Sequence, residues 1–199
     1  MLERNSVLVG VLKGGGCDGA DGQRCLRIGE VRGWKLVQVA AFPGTAMALG
    51  RATRPLLGAD LPGCVGQATT HGARLLLKIG PEQFWIITRD DEDLAPELQP
   101  VIAPTVGSVI SLTHSRTCIS IDGHSSPEVL ATGIALDFHP DVFRLGFFAL
   151  TGLHHTPIMI HRSGASRYEL YVLRTFAVDR KSTRLNSSHG GISRMPSSA

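Results

Sequence analysis

Long apolar runs, paired cysteines and net charge are all scarce in this chain. No apolar stretch approaches the roughly 20 residues that a membrane-spanning helix requires, so no membrane partner is expected. The only apolar patch near the start, Val7 to Leu12, is preceded by Glu3. No small-residue cleavage site follows it closely, so no secretory signal is expected either. The four cysteines, Cys17, Cys25, Cys64 and Cys118, form no CxxC pair. That spacing argues against a zinc ribbon and a dithiol redox motif. Four scattered cysteines in 199 residues give little support for a disulfide framework, and the default expectation is a reducing, cytoplasmic setting. The glycine-rich run KGGGCDGADG lacks the GxxxxGK(S/T) pattern of a phosphate cradle, and no GxSxG nucleophile elbow occurs.

The formal charge of +3 comes entirely from the end of the chain. From Asp179 it reads DRKSTRLNSSHGGISRMPSSA. Asp179 to His189 is similar, codon for codon, to a translated short-read sequencing adapter, and SRMPSSA is similar to a downstream adapter segment. The bases between them match the length of a sample index. Residues 179–199 are therefore read as an artefactual tail, expected to be disordered and set aside from the fold. The tail carries Arg180, Lys181, Arg184 and Arg194 against Asp179, which leaves residues 1–178 with sixteen basic and sixteen acidic side chains. Such a balance provides no electrostatic argument for nucleic acid or a membrane surface.

Residues 1–24 are read as a flexible N-terminal arm and residues 25–178 as one domain. KLVQVAAF (35–42) alternates like a strand. Thr45 is placed to cap a helix running to about Arg54, with Pro55 and Gly58 ending it. A polar, glycine-rich connection is expected up to Gly72. RLLLKI (74–79) and FWIIT (84–88) flank a turn at residues 80–83 and form a hairpin. Residues 90–93 are acidic and suit a helix N-terminus, with Pro100 and Pro104 closing that helix. SVISLT (108–113) is the next strand.

The second half repeats the pattern. TCISID (117–122) is a strand, and Ser125 or Ser126 caps a helix with Pro127 in its first turn and Gly133 at its end. A proline-containing hinge follows at 138–143. Three strands come next, at 147–155, 157–161 and 167–173, with a turn at 163–166. Residues 175–177 are expected to open a last helix that the tail cuts short. The resulting expectation is an α+β fold of duplicated, ferredoxin-like βαββαβ units with antiparallel sheets. The pseudo-repeats span about 25–113 and 114–178.

Few residues suggest chemistry. His154 and His155 are neighbours on a strand or turn, so their rings diverge, and no cysteine or carboxylate stands at a ligand spacing from them. His161 reads as a strand-end residue, and the histidine of the HPD hinge, His139, as part of a turn. His114-Ser115-Arg116 is the best candidate for a functional contact. Adjacent Ser and His do not make a nucleophile and base, but Arg116 offers a planar fork for a carboxylate or carbonyl.

The stretch from His114 to Ala177 resembles the C-terminal half of the gamma subunit of heterotetrameric sarcosine oxidase. HSR-T, LDFHPDVF and RYELYVLRTFA carry the likeness, and RGWKLVQVAAFPGT and IGPEQFWII extend it back to about Arg27. The resemblance implies a fold related to the folate-binding domain of glycine cleavage T-proteins. It implies a non-catalytic subunit that packs against alpha, beta and delta subunits, chiefly alpha. The complex would oxidise sarcosine with O2 and tetrahydrofolate to glycine, methylenetetrahydrofolate and hydrogen peroxide. FAD, FMN and NAD would sit on the larger subunits and zinc on delta, with no catalytic, cofactor or metal residues here. His114, Arg116, His139, Arg167, Tyr168 and Arg174 are the candidate interface or signature residues. The alternatives are a free-standing folate-binding one-carbon protein of the aminomethyltransferase superfamily, and a gamma-like subunit serving a related methylated amine.

Overall fold

The computed structural model describes residues 15–18, 24–89 and 92–176. The tail, the proposed adapter match and most of the expected arm lie outside them. Eleven strands and three α-helices form among the described residues. In chain order they are β1 (Gly15–Asp18), β2 (Arg24–Val31), β3 (Trp34–Ala41), α1 (Ala46–Leu57), β4 (Ala68–His71), β5 (Arg74–Lys78), β6 (Gln83–Arg89), α2 (Ala95–Val101) and β7 (Gly107–Ser111). Then follow β8 (Arg116–Asp122), α3 (Ser126–Ala131), β9 (Phe148–Leu153), β10 (Thr156–Arg162) and β11 (Arg167–Leu173).

The strands make two antiparallel sheets. One has six strands in the order β1-β2-β8-β11-β10-β9, the other five in the order β4-β5-β6-β3-β7. The central strands are apolar on both sides, as FWIIT and RLLLK indicate, so each sheet must be covered on two faces. Val37, Val39, Leu76 and Ile86 bury one face of the five-stranded sheet under Leu49 and Leu57 of α1 and Leu98 of α2. Trp34, Leu36, Leu77, Trp85 and Ile87 bury the other face against Cys118, Phe148, Met159 and Tyr171 of the six-stranded sheet. The far face of that sheet, with Ile160, Tyr168 and Leu170, is covered by Leu130 of α3 and by Ile134, Phe138 and Phe143 of the segment after it. Four layers result: helices, sheet, sheet, helix and loop. The two sheets are also stitched at one edge, where Gln67 bridges Phe147, Ala68 N–H donates to Gly146 O at 3.0 Å and Phe148 N–H to Gly66 O at 2.9 Å.

The α+β class and the antiparallel sheets agree with expectation; several local details differ. Residues 15–18 of the expected arm pair with β2, and β2 itself joins β8 rather than the sheet of β3, the strand that follows it. β4 lies within the stretch expected to be a connection. It is a short, half-exposed edge strand whose ATTH sequence carries no apolar alternation. α1 runs through Pro55 to Leu57. A proline in the last turn forfeits one hydrogen bond, while the fully buried Leu57 anchors that turn. Gly58, at φ 71°, then donates its N–H to Arg54 O. His114 sits in a 3-10 turn (Thr113–Ser115) ahead of β8. α2 begins at Ala95, where Asp93 Oδ1 accepts the Ala95 N–H at 3.1 Å. Asp90 and Asp91 lie outside the described residues. His154 has φ 54° and occupies the β9–β10 turn, a conformation histidine adopts more readily than bulkier residues.

Gly123 follows β8 with φ 136°, and a Cβ there would overlap the Cys25 carbonyl oxygen and lie 2.8 Å from Leu26 Cα. Gly44, at φ 79°, has open space around it. Gly123→Ala is expected to cost more than about 2 kcal/mol in urea melts, and Gly44→Ala about 1 kcal/mol, the conformational term alone. Equal losses would refute the steric difference.

Candidate functional site

The seam between the sheets is apolar at one end and polar at the other. Arg89 ends β6 of the five-stranded sheet and crosses to β11, where its Nη2 lies 2.5 Å from Glu169 Oε2. Tyr171 donates its hydroxyl to the same carboxylate oxygen at 2.9 Å, and Arg89 Nη2 is 3.5 Å from that hydroxyl. Arg167 Nη2 stands 3.7 Å from Glu169 Oε1. The period of two along β11 sends Arg167, Glu169 and Tyr171 to this seam, and Tyr168, Leu170 and Val172 to the far core. His161 is directly opposite Glu169 in the β10–β11 register. Its Nδ1 is buried without a hydrogen-bond partner, as is Nη1 of Arg89.

Burial sets the protonation of this cluster. It pushes the Tyr171 phenol well up, with Cys118 and Glu169 adding to the shift and Arg89 opposing it. Burial also pushes the Cys118 thiol up. His161 is pushed down to about 4 by burial, which outweighs the attraction of Glu169. At neutral pH the seam therefore holds a neutral imidazole, a neutral thiol, a neutral phenol and one paired carboxylate. Glu169 is 4% exposed, and its Oε2 is engaged by two donors, of which Arg89 comes from the opposite sheet. No cluster of three or more His, Cys, Asp or Glu suited to a metal ion occurs among the described residues.

The six residues singled out from the sequence do not converge. Arg116 lies opposite Leu173 and Arg167 opposite Asp122, at the two ends of the β8–β11 ladder, about 20 Å apart at the strand rise. Arg116 lies over the Trp85 ring at 4.4 Å, a cation–π contact between the two sheets. His114 is exposed. His139 is exposed in the hinge, with Nδ1 accepting the Asp141 N–H at 3.4 Å. Tyr168 is fully buried on the far face, edge-on to Phe138 at 5.6 Å. Arg174 is half-buried where residues 174–176 begin a helical turn. The Arg89–Glu169–Tyr171–His161 cluster was not anticipated. Its signal was a carboxylate in the middle of the apolar strand RYELYVL, which must find a buried partner.

No protein-family model matches this chain. Sarcosine oxidase subunit gamma of Arthrobacter sp is 32% identical over 138 residues, which cover 69% of this chain and 66% of that relative. The same subunit of Corynebacterium sp. strain P-1 is 30% identical over 140 residues, with the same two coverages. That of Corynebacterium sp. strain U-96 is 26% identical over 158 residues, 78% of this chain and 75% of the relative. The chain belongs to the sarcosine oxidase gamma subunit family. Its match to the Arthrobacter and P-1 gamma subunits spans just under two thirds of their length. Among solved structures, heterotetrameric sarcosine oxidase from Corynebacterium sp. U-96, in complex with pyrrole 2-carboxylate, holds a chain that superposes with a TM-score of 0.71. That match has 21% identity and covers 87% of this chain and 89% of the other. Aminomethyltransferase T of the glycine cleavage system from Bartonella henselae superposes with a TM-score of 0.57 at 16% identity, over 81% of this chain and 45% of its own. The fold of this gamma-family chain is thus shared with both.

Two outcomes are expected from the seam. Arg89→Leu leaves Glu169 buried without its cation and should cost about 3 kcal/mol, the low end for breaking a buried pair because Arg89 is partly exposed. Adding Glu169→Leu should recover part of that loss, measured as a double-mutant cycle in urea. For His161, the folded-state pKa lies below the ordinary 6.5, so between the two values only the unfolded chain binds the proton. Stability from this group is present above pH 6.5 and lost as pH falls towards 4, by about 3 kcal/mol at most. His161→Phe should flatten the stability profile in that window, and an unchanged slope would exclude His161 as its source.

Proposed function

We propose that this chain is the non-catalytic gamma subunit of a heterotetrameric sarcosine oxidase and supports assembly of the complex. Its membership of the gamma family carries this reading, and the chemistry of its buried polar groups supports it. The seam is arranged to join two sheets: every acid–base group in it is either neutral or already paired. In this reading the complex demethylates sarcosine oxidatively to glycine with tetrahydrofolate and O2, releasing hydrogen peroxide. FAD, FMN, NAD and zinc belong to the alpha, beta and delta subunits, of which alpha is the chief partner, and the assembly is cytoplasmic. The strand orders support the finer reading of the fold. β3, β5, β6 and β7, with α1 and α2, follow the course of a ferredoxin-like unit. β8, β10 and β11 repeat it, with β2 taking the fourth place.

The rival reading is a free-standing folate-binding protein. Recognition of a pterin by a carboxylate needs that carboxylate open to a cavity. Glu169, the buried carboxylate of the seam, instead accepts from Arg89 and Tyr171. This favours the accessory role.

Two measurements test the proposal. The purified chain should show no flavin absorbance and no sarcosine-dependent peroxide. Co-expressed with alpha, beta and delta subunits, it should co-purify with them in equal amount. Oxidase activity of the isolated chain, or its micromolar binding of tetrahydrofolate, would overturn this reading.

A further inference from the structure

A groove of about 340 Å³ runs along the outer side of α1, between that helix and the segment at 60–63. Its apolar floor is Ala46, Leu61, Pro62 and Phe84, and Met47, 73% exposed, stands at the rim. Arg51, Arg54 and Lys78 face it against a single carboxylate, Asp60. Arg54 is 3.4 Å from Asp60, and Lys78 Nζ donates to Gly63 O at 2.9 Å. Arg51 is exposed and makes no ion pair among the described residues. The groove therefore presents an excess of positive charge beside apolar surface, in a protein whose residues 1–178 are neutral as a whole.

The fold does not explain Gly50. It lies inside α1 and lines the groove. A glycine in a helix interior is unfavourable relative to alanine, and it is usually retained where the backbone needs positive φ or where another group approaches closely. Gly50 has neither reason within the chain: its φ is ordinary, and an added Cβ would meet nothing within 4 Å. What its missing side chain does is keep the groove open beside the helix backbone.

Taking the subunit role proposed above as its basis, we infer that this groove docks an acidic segment of a partner subunit. The carboxylates of that segment pair with Arg51 and its neighbouring cations, and its apolar side chains lie on Met47 and Leu61 against the bare backbone of Gly50. Charge complementarity selects an acidic occupant, and an open groove between a helix and an irregular segment suits a peptide better than a compact solute.

The test measures assembly of the full chain with the other purified subunits of the complex. Gly50→Gln places a side chain in the groove from a Cβ that meets nothing within 4 Å and improves helix propensity, so its thermal midpoint should equal or exceed that of the wild type, by up to about 3 °C. Its half-maximal concentration for assembly should nevertheless rise about tenfold, and Arg51→Glu should match that loss and reduce the salt sensitivity of assembly. Wild-type assembly that neither variant changes would overturn the docking site while leaving the subunit role intact. Failure of the wild type to assemble would overturn both. Saturable binding of inorganic phosphate, abolished by Arg51→Glu with assembly intact, would replace the protein segment by a small free anion.

Discussion

The structure depends on the seam where two antiparallel sheets bury their inner faces against each other. Trp34, Trp85, Leu36, Leu77 and Ile87 meet Phe148, Met159 and Tyr171 there, and each large side chain so buried contributes on the order of 2 kcal/mol. Because the central strands are apolar on both faces, the seam also dictates the outer layers. α1 and α2 must cover one outer face and α3 with the hinge the other. Removing one sheet would leave a row of indoles and branched side chains in water.

Apolar contact is nondirectional, and two twisted sheets could slide over one another at little cost. The polar end of the seam opposes this. Arg89 and Glu169 come from different sheets, and their hydrogen bond with Tyr171 is satisfied in one alignment. Arg116 over Trp85 adds a second cross-sheet contact at 4.4 Å. The stitch at Gln67 and Phe147 closes one edge. Any displacement of the sheets that separates Arg89 from Glu169 leaves a buried charge uncompensated, which is strongly unfavourable.

The legible parts of the fold were those where local pattern and burial coincide. The hairpin of β5 and β6, α3 with its Pro127, and the run of strands at the end of the chain could all be read from period and turn residues. β2 and β4 could not. RCLRIGEV mixes charge and glycine into a strand because β8 already supplies a free ladder edge, and ATTH becomes a strand because β5 stands beside it. Pro55 by its own chemistry predicts a helix end, whereas the buried Leu57 two residues later carries the helix past it. At the candidate site, the HSR-T run marks Arg116, but its role as a cross-sheet contact depends on Trp85, which is remote in sequence; Arg167 contacts Glu169 two residues along the same strand.

The sequence by itself determined the family, the α+β class and most strands of the second half. Those properties follow from short-range period, turn chemistry and a few distinctive runs. Tertiary structure alone decided which sheet β2 joins, which residues face the seam and which charges become paired there. Strand partners are chosen by unfilled ladder edges and by apolar faces that must be covered. Both are supplied by segments far away along the chain, so no local pattern encodes them.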